Sequence, residues 1–310
     1  MILYDARMRR VMRPAGNGSA RDATTEADRV RDIIASSGRK VMKARRRVLS
    51  GEDGEAIHDV RVATRRLQAA LEVFASCLPE RRRRRLEKRA RKIRRGLGAR
   101  RNAWVLLRLL VRFRAGLGPD ERKFVDALAR SLKQAARPLE PTVRKGLPGI
   151  RGRLRKLLRD ATGCAVLPPG PVLRAQVDAV LTARGAARGG EPEAMHRLRI
   201  AIKRYRYSLE VLAETGAPGL VAAIREARAL QRELGRLHDL DVLIGVVRPR
   251  MHARGAATFL RRALQRRSRQ AERTLRRLAD FRPLGAAPSA RVRGPRRVAS
   301  SAALFAGTVA

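Results

Sequence analysis

Two histidines in this sequence are each followed by the same pattern of cations. His58 is followed by arginine at the third, seventh and eighth positions after it. His196 is followed by arginine at the third and eighth positions and by lysine at the seventh. Guanidinium, ammonium and imidazolium groups all donate hydrogen bonds to phosphate oxygens, so both patterns favour binding of a phosphate-rich anion.

The residues around each histidine have the spacing of an amphipathic helix. One stripe recurs at intervals of three and four positions and is predicted to face a core. The histidine and its cations lie on a neighbouring line, roughly 100° around the helix. A solvated basic face is the alternative explanation, but two copies in one register favour a shared function. The stripes are Ile57, Val60, Thr64, Leu67, Leu71 and Phe74 in the first copy, and Met195, Leu198, Ile202, Tyr205, Leu209 and Leu212 in the second.

A second pair of matching stretches indicates that the repeat is larger than one helix. Residues 97–106 match residues 234–243 at an offset of 137, close to the offset of 138 between the two histidines. A repeat that holds over two separate elements indicates a duplicated bundle. Two equivalent bundles generally pack about a pseudo-two-fold axis, and their basic faces would then converge on one groove.

The composition favours a polyanionic partner without bases. The chain has 72 Lys+Arg against 28 Asp+Glu, a formal net charge of +44. Nine of the cations are lysine and 63 are arginine, whose planar fork matches phosphate oxygens better than an ammonium does. Aromatic residues make up 3% of the chain, whereas proteins that bind single-stranded nucleic acid stack bases on aromatic rings.

No pattern in the sequence predicts a metal site, a cofactor or a membrane segment. Cys77 and Cys164 lack any ligand or redox spacing and are predicted to be small buried hydrophobes. The N-terminus has no apolar signal-peptide core, and no stretch approaches 18 uninterrupted apolar residues. We therefore expect a cytoplasmic protein without a membrane span.

Periodic segments separated by turns predict an all-α fold. We expect a disordered basic N-terminus over residues 1–24, a first bundle over 25–163, a second bundle over 171–280 and a disordered tail over 283–310. The Pro-rich stretch 164–171 separates the bundles. Helices are predicted at about residues 25–49, 55–77, 79–96, 102–116, 119–136, 147–161, 171–184, 192–214, 218–234, 238–252 and 255–279.

With both repeated elements in view, the sequence resembles the CHAD family, the conserved-histidine α-helical domains. The resemblance rests on the two histidine helices and on residues 97–106 and 234–243, and it extends from about residue 25 to about residue 278. It implies tandem four-helix bundles related by pseudo-two-fold symmetry around a basic channel. It also implies binding of inorganic polyphosphate and association with polyphosphate granules, without catalysis. Some members carry a triphosphate-processing domain ahead of this one, for which we expect no room here.

The binding residues that the resemblance implies are carried over by position. They are His58, Arg61, Arg65, Arg66, Arg95 and Arg101 in the first half, and His196, Arg199, Lys203, Arg204, Arg206 and Arg232 in the second.

The first half departs from the second at two places. Gln68 stands where the second copy has Arg206, and Asn102 and Trp104 stand where the second copy has Asp239 and Asp241. If the aspartates only cap their helix, Asn102 can replace one of them. If they orient arginines, the first half binds more weakly, so we expect the second half to bind more tightly.

Two other functions stay open. A metal-dependent phosphohydrolase is suggested by His58-Asp59 and by His238-Asp239, although four histidines cannot supply such a site in both halves. A nucleic-acid-binding protein is permitted by charge alone, and weak non-specific binding is expected at low salt.

The histidines are either structural or phosphate donors. In the second case, binding tightens as pH falls through the histidine range.

Overall fold

Every regular element in the computed structural model is helical within the described residues, so the all-α prediction is confirmed. The structure describes residues 20–50, 54–135, 145, 147–161, 170–217 and 219–284. The α-helices in these ranges are α1 (Ala20–Leu49), α2 (Gly54–Val73), α3 (Glu80–Gly96), α4 (Gly98–Arg114), α5 (Pro119–Ala135), α6 (Pro148–Arg159), α7 (Gly170–Ala186), α8 (Pro192–Glu214), α9 (Leu220–Val247) and α10 (Ala256–Asp280).

The two histidine helices, α2 and α8, pack against each other at the centre of the molecule. All twelve residues of their predicted stripes are buried, and none has more than 3% of its surface exposed. The prediction of two amphipathic helices is confirmed. Burial of both stripes fixes the rotation of each helix, so the neighbouring line of cations must lie beside the core.

The hydrophobic interior forms two clusters, and each draws on both halves of the chain. The larger cluster joins α1, α2, α3 and α6 to α7, α8, the first part of α9 and the second part of α10. The smaller one joins α4 and α5 to the second part of α9 and the first part of α10. Phe259 of α10 lies at its centre, with ring centroids 5.2 Å from Phe113 and 5.8 Å from Phe124.

Equivalent helices of the two halves contact each other. In addition to α2 with α8, α4 packs against α9 and α5 packs against α10. These contacts agree with the arrangement expected about a two-fold axis, while the symmetry itself stays a prediction. The Pro-rich boundary between the halves and both chain termini lie largely outside the described residues, as does Cys164.

One helix that the sequence predicts as two is continuous. The sequence predicts separate helices at about 218–234 and 238–252, but α9 runs unbroken through Gly235, which lies between them. A helical glycine costs only about 1 kcal/mol relative to alanine, and the buried neighbours Leu234 and Leu237 hold the helix in place.

The corresponding interruption in the first half is a single residue. Leu97 separates α3 from α4, yet its N–H donates to the carbonyl of Ile93 at 3.1 Å and its carbonyl accepts from the N–H of Arg101 at 3.1 Å. Because α4 begins at Gly98, Asn102 lies inside the helix and does not cap it. The alternative in which Asn102 caps this helix does not hold.

The remaining differences are small. α2 ends at Val73, and the segment up to Cys77 is a short 3₁₀ turn over Ala75–Cys77, whereas a continuous α-helix was expected. Cys77 is only partly buried. None of the helices in the described ranges has both the length and the apolar character needed to cross a membrane.

Candidate functional site

A basic cavity of about 390 Å³ lies where α2, α3, α4, α8 and α9 meet. Both histidine helices turn their charged lines towards it. Among the described residues that line it, Glu72 is the only carboxylate. The basic side chains in its wall are Arg61, Arg65, Arg94, Arg101, His196, Arg199, Lys203, Arg204 and His238.

The cations in this wall destabilise one another in the free protein. Burial, followed by repulsion from neighbouring arginines, lowers the pKa of Arg61, Arg94 and Arg199 to about 10 each. The same causes hold the pKa of Lys203 well below its usual value. Charge that is costly without a counter-ion becomes favourable when an anion enters. The cavity is therefore poised to accept negative charge.

Two histidines from different helices face each other in the cavity wall. The Nδ1 atoms of His196 and His238 lie 3.4 Å apart, and the ring centroids are 4.8 Å apart. Burial, with Arg199 next in size, lowers the pKa of His238 to about 3. Burial and then Arg101 lower the pKa of His58, which lies at the exposed edge of α2. Both shifts favour the uncharged form of these histidines at neutral pH in the free protein.

Most of the binding residues implied by the resemblance come together in this cavity. Seven of the twelve line it, namely Arg61, Arg65, Arg101, His196, Arg199, Lys203 and Arg204. His58 lies near enough to Arg101, Arg65 and Arg61 for their charges to lower its pKa.

The other four carried-over residues lie away from the cavity wall. Arg66 is ion-paired with Glu214 at 2.5 Å, and Arg95 and Arg232 are exposed on α3 and α9. Arg206 is buried, with its guanidinium 4.0 Å from the ring centre of Tyr207.

The two halves carry the same polar cluster with arginine and glutamine exchanged. In the second half, Arg206 of α8 donates to Gln231 of α9 at 2.7 Å and to Glu210 at 2.6 Å. In the first half, the position of Arg206 is taken by Gln68, and the position of Gln231 is taken by Arg94.

The hydrogen bonds of the first half mirror this exchange. Arg94 of α3 donates to the side-chain oxygen of Gln68, and Gln68 donates to Glu72 at 2.6 Å. Arg94 is absent from the residues that the resemblance implies, and the repeat has glutamine at its position. The useful signal was the pair of opposite differences at the two positions.

The aspartates of the second half have separate tasks. Asp239 lies 3.8 Å from Arg101, an arginine that lines the cavity. Asp241 binds Arg267 at 2.9 Å, and Arg267 donates to the carbonyl of Gly190 just ahead of α8. The first of these contacts fits the view that an aspartate orients a binding arginine.

His58 and His238 are each followed by an aspartate, Asp59 and Asp239. Among the residues that the structure describes, no three His, Cys, Asp or Glu side chains are close enough together to hold a metal ion.

Comparison with known proteins points to one family. The CHAD domain family model matches residues 32–248. The crystal structure of the CHAD domain from the plant Ricinus communis superimposes with a TM-score of 0.59 at 21% identity, covering 83% of this chain and 92% of that chain. PptA from Streptomyces chartreusis superimposes with a TM-score of 0.62 at 18% identity, covering 82% of this chain and 98% of that chain. These likenesses show a shared fold. A search of curated proteins gave no match.

Proposed function

This chain belongs to the CHAD domain family, a family associated with polyphosphate binding, and from that premise we propose that it binds inorganic polyphosphate in the basic cavity between its histidine helices. The observation that carries the proposal is the convergence of cations from both helices on one cavity with a single carboxylate in its described wall. Polyphosphate offers a row of charged oxygens and no other recognisable group. A rigid track of arginines is therefore a sufficient receptor.

The spacing of the cations suits such a chain. Residues three and seven positions after a histidine on a helix lie about 4.5 and about 10.5 Å further along the axis, so one face can reach successive phosphates. Arg61 is already held in place, because its guanidinium donates to the carbonyl of Arg94 at 2.5 Å. A pre-positioned donor loses less conformational freedom when it binds the ligand.

We propose calorimetry with polyphosphate of defined length on the parent protein and on Arg61→Ala combined with Arg199→Ala. Each arginine contributes a charge-assisted hydrogen bond, so the double variant should bind about 100-fold more weakly.

The matched control is Arg122→Ala combined with Arg130→Ala, which removes two exposed arginines from α5, outside the cavity. This control should bind nearly as the parent does. If the cavity variant binds with the same affinity as the parent, the cavity is not the polyphosphate site.

Association with polyphosphate granules in the cytoplasm is part of the same proposal. A fluorescent fusion should concentrate at granules in cells that accumulate polyphosphate and should spread evenly in cells depleted of it. The cavity double variant should remain spread out in both, while the α5 control should follow the parent.

Nucleic-acid binding is the competing function, since the net charge of +44 attracts any polyanion. Competition separates the two. Long-chain polyphosphate should displace DNA at far lower phosphate concentration than DNA needs to displace polyphosphate. The reverse order would favour the nucleic-acid function.

A further inference from the structure

We infer that Arg94 is an anion-binding arginine of the cavity, and that Arg206, which the family resemblance implies for this role, is not. This rests on the proposed function and names a binding residue that the repeat does not predict. The expectation that the second half binds more tightly stays a prediction.

The first support is position. Arg94 lies in the wall of the cavity beside Gln68 and Arg65. Arg206 does not belong to that wall, and only 9% of its surface is exposed. An arginine can donate to an incoming phosphate only if its guanidinium borders the space that the phosphate enters.

The second support is how each charge is compensated. Arg94 donates to two neutral acceptors, the side-chain oxygen of Gln68 and the carbonyl of Thr64, the latter at 3.4 Å. Arg206 donates to the carboxylate of Glu210 at 2.6 Å, and that carboxylate also binds Arg228. Arg206 is therefore already ion-paired with a carboxylate, whereas Arg94 forms no ion pair with a carboxylate of the described residues.

The third support is the neighbouring network. Gln68 stands between Arg94 and Glu72, accepting from the arginine and donating to the carboxylate at 2.6 Å. The amide separates a cation from an anion that would otherwise pair directly. The exchange of arginine and glutamine thus leaves the first half with a cation that is both oriented and available. In the second half, the arginine pairs directly with the carboxylate of Glu210, which also binds Arg228.

The test is calorimetry with polyphosphate on Arg94→Gln, with Arg85→Gln as the matched control. Arg85 is an exposed arginine of the same helix, so its variant removes the same charge from outside the cavity. Loss of one charge-assisted contact should weaken binding about tenfold for Arg94→Gln. The control should stay within about twofold of the parent.

A second variant separates binding from packing. Gln68→Arg combined with Arg94→Gln copies the arrangement of the second half, in which arginine and glutamate are four positions apart on one helix. The double variant should melt close to the parent, because the cluster keeps its hydrogen bonds. Its affinity for polyphosphate should be about tenfold lower than that of the parent, because the new arginine pairs with Glu72.

Each outcome bears on one hypothesis. If the parent does not bind polyphosphate, the proposed function fails. If the parent binds and Arg94→Gln binds equally well, the assignment of Arg94 fails alone. Recovery of full affinity in the double variant would also overturn the assignment, because it would show that an arginine at either position serves.

Discussion

The protonation of His58 and His238 should depend on whether an anion occupies the cavity. In the free protein, burial and neighbouring cations lower the pKa of His58 and His238. The charge of Asp59 raises the pKa of His58. The pKa of His238 is lowered by burial and also by the charges of Arg199, His196, Arg101 and Lys203. Below about pH 6.5 both imidazoles would be protonated in the unfolded chain, whereas the folded chain keeps them neutral to lower pH. The free fold should therefore lose stability as pH falls through that range.

Bound polyphosphate should reverse this trend. An anion beside the imidazoles raises their pKa, so affinity should increase as pH falls from about 8 to about 5. Calorimetry across this range measures the effect directly, and melting curves of the free protein measure the loss of stability.

Two substitutions test the assignment to the cavity. His238→Gln should flatten the pH dependence of binding. His252→Gln, which changes an exposed histidine beyond α9, should leave it as in the parent. An affinity that stays flat in the parent would show that the histidines are structural only.

Among the elements, the start of each histidine helix is held by a different chemistry. In the second half, the start of α8 is tied through Asp241, Arg267 and Gly190. In the first half, Trp104 occupies the position equivalent to Asp241 and lies directly against Gly54, the first residue of α2. An aromatic contact therefore stands where the second half has an ion pair.

Two glycine substitutions should have opposite effects on stability. A Cβ on Gly54 would lie 2.1 Å from the Trp104 ring, so Gly54→Ala should reduce the free energy of unfolding by about 1–3 kcal/mol. A Cβ on Gly235 would meet nothing within 4 Å, so Gly235→Ala in the middle of α9 should increase it by about 0.5–1 kcal/mol. Urea denaturation measures both, and a stabilising Gly54→Ala would contradict the role given to Trp104.

The sequence predicts these helices well because periodicity reports which side of a helix is buried. Both stripes were assigned from spacing alone, and every stripe residue is buried. It predicts breaks less well, since a glycine such as Gly235 ends a helix only when the surrounding packing allows it. The pair of opposite differences between the repeats points to Arg94 only once its partners are known, because those partners come from α2 and are set by tertiary contact. Spacing along α3 carries no information about them.

The whole molecule carries far more positive than negative charge, at +44. Like charges repel across a compact surface and oppose folding. Salt screens exposed charges beyond about 10 Å at about 0.1 M, so it relieves this repulsion. The same salt competes with a bound polyanion, because fewer counterions are released when the solution already holds many.

Raising the salt concentration should therefore stabilise the free fold and weaken polyphosphate binding. Melting temperature should rise between about 0.05 and about 0.5 M salt, while the logarithm of the association constant should fall linearly with that of the salt concentration. The cavity double variant should show a shallower slope than the α5 control. Equal slopes would place the bound phosphates elsewhere on the surface.

The sharing of both hydrophobic clusters between the halves has a consequence for synthesis on the ribosome. The apolar faces of α4 and α5 belong with α9 and α10, which are translated more than one hundred residues later. At about 5–20 residues per second, these faces wait on the order of ten seconds for their partners. During that interval the nascent chain exposes the surfaces that chaperones bind. The fold can close only after α10 has left the exit tunnel.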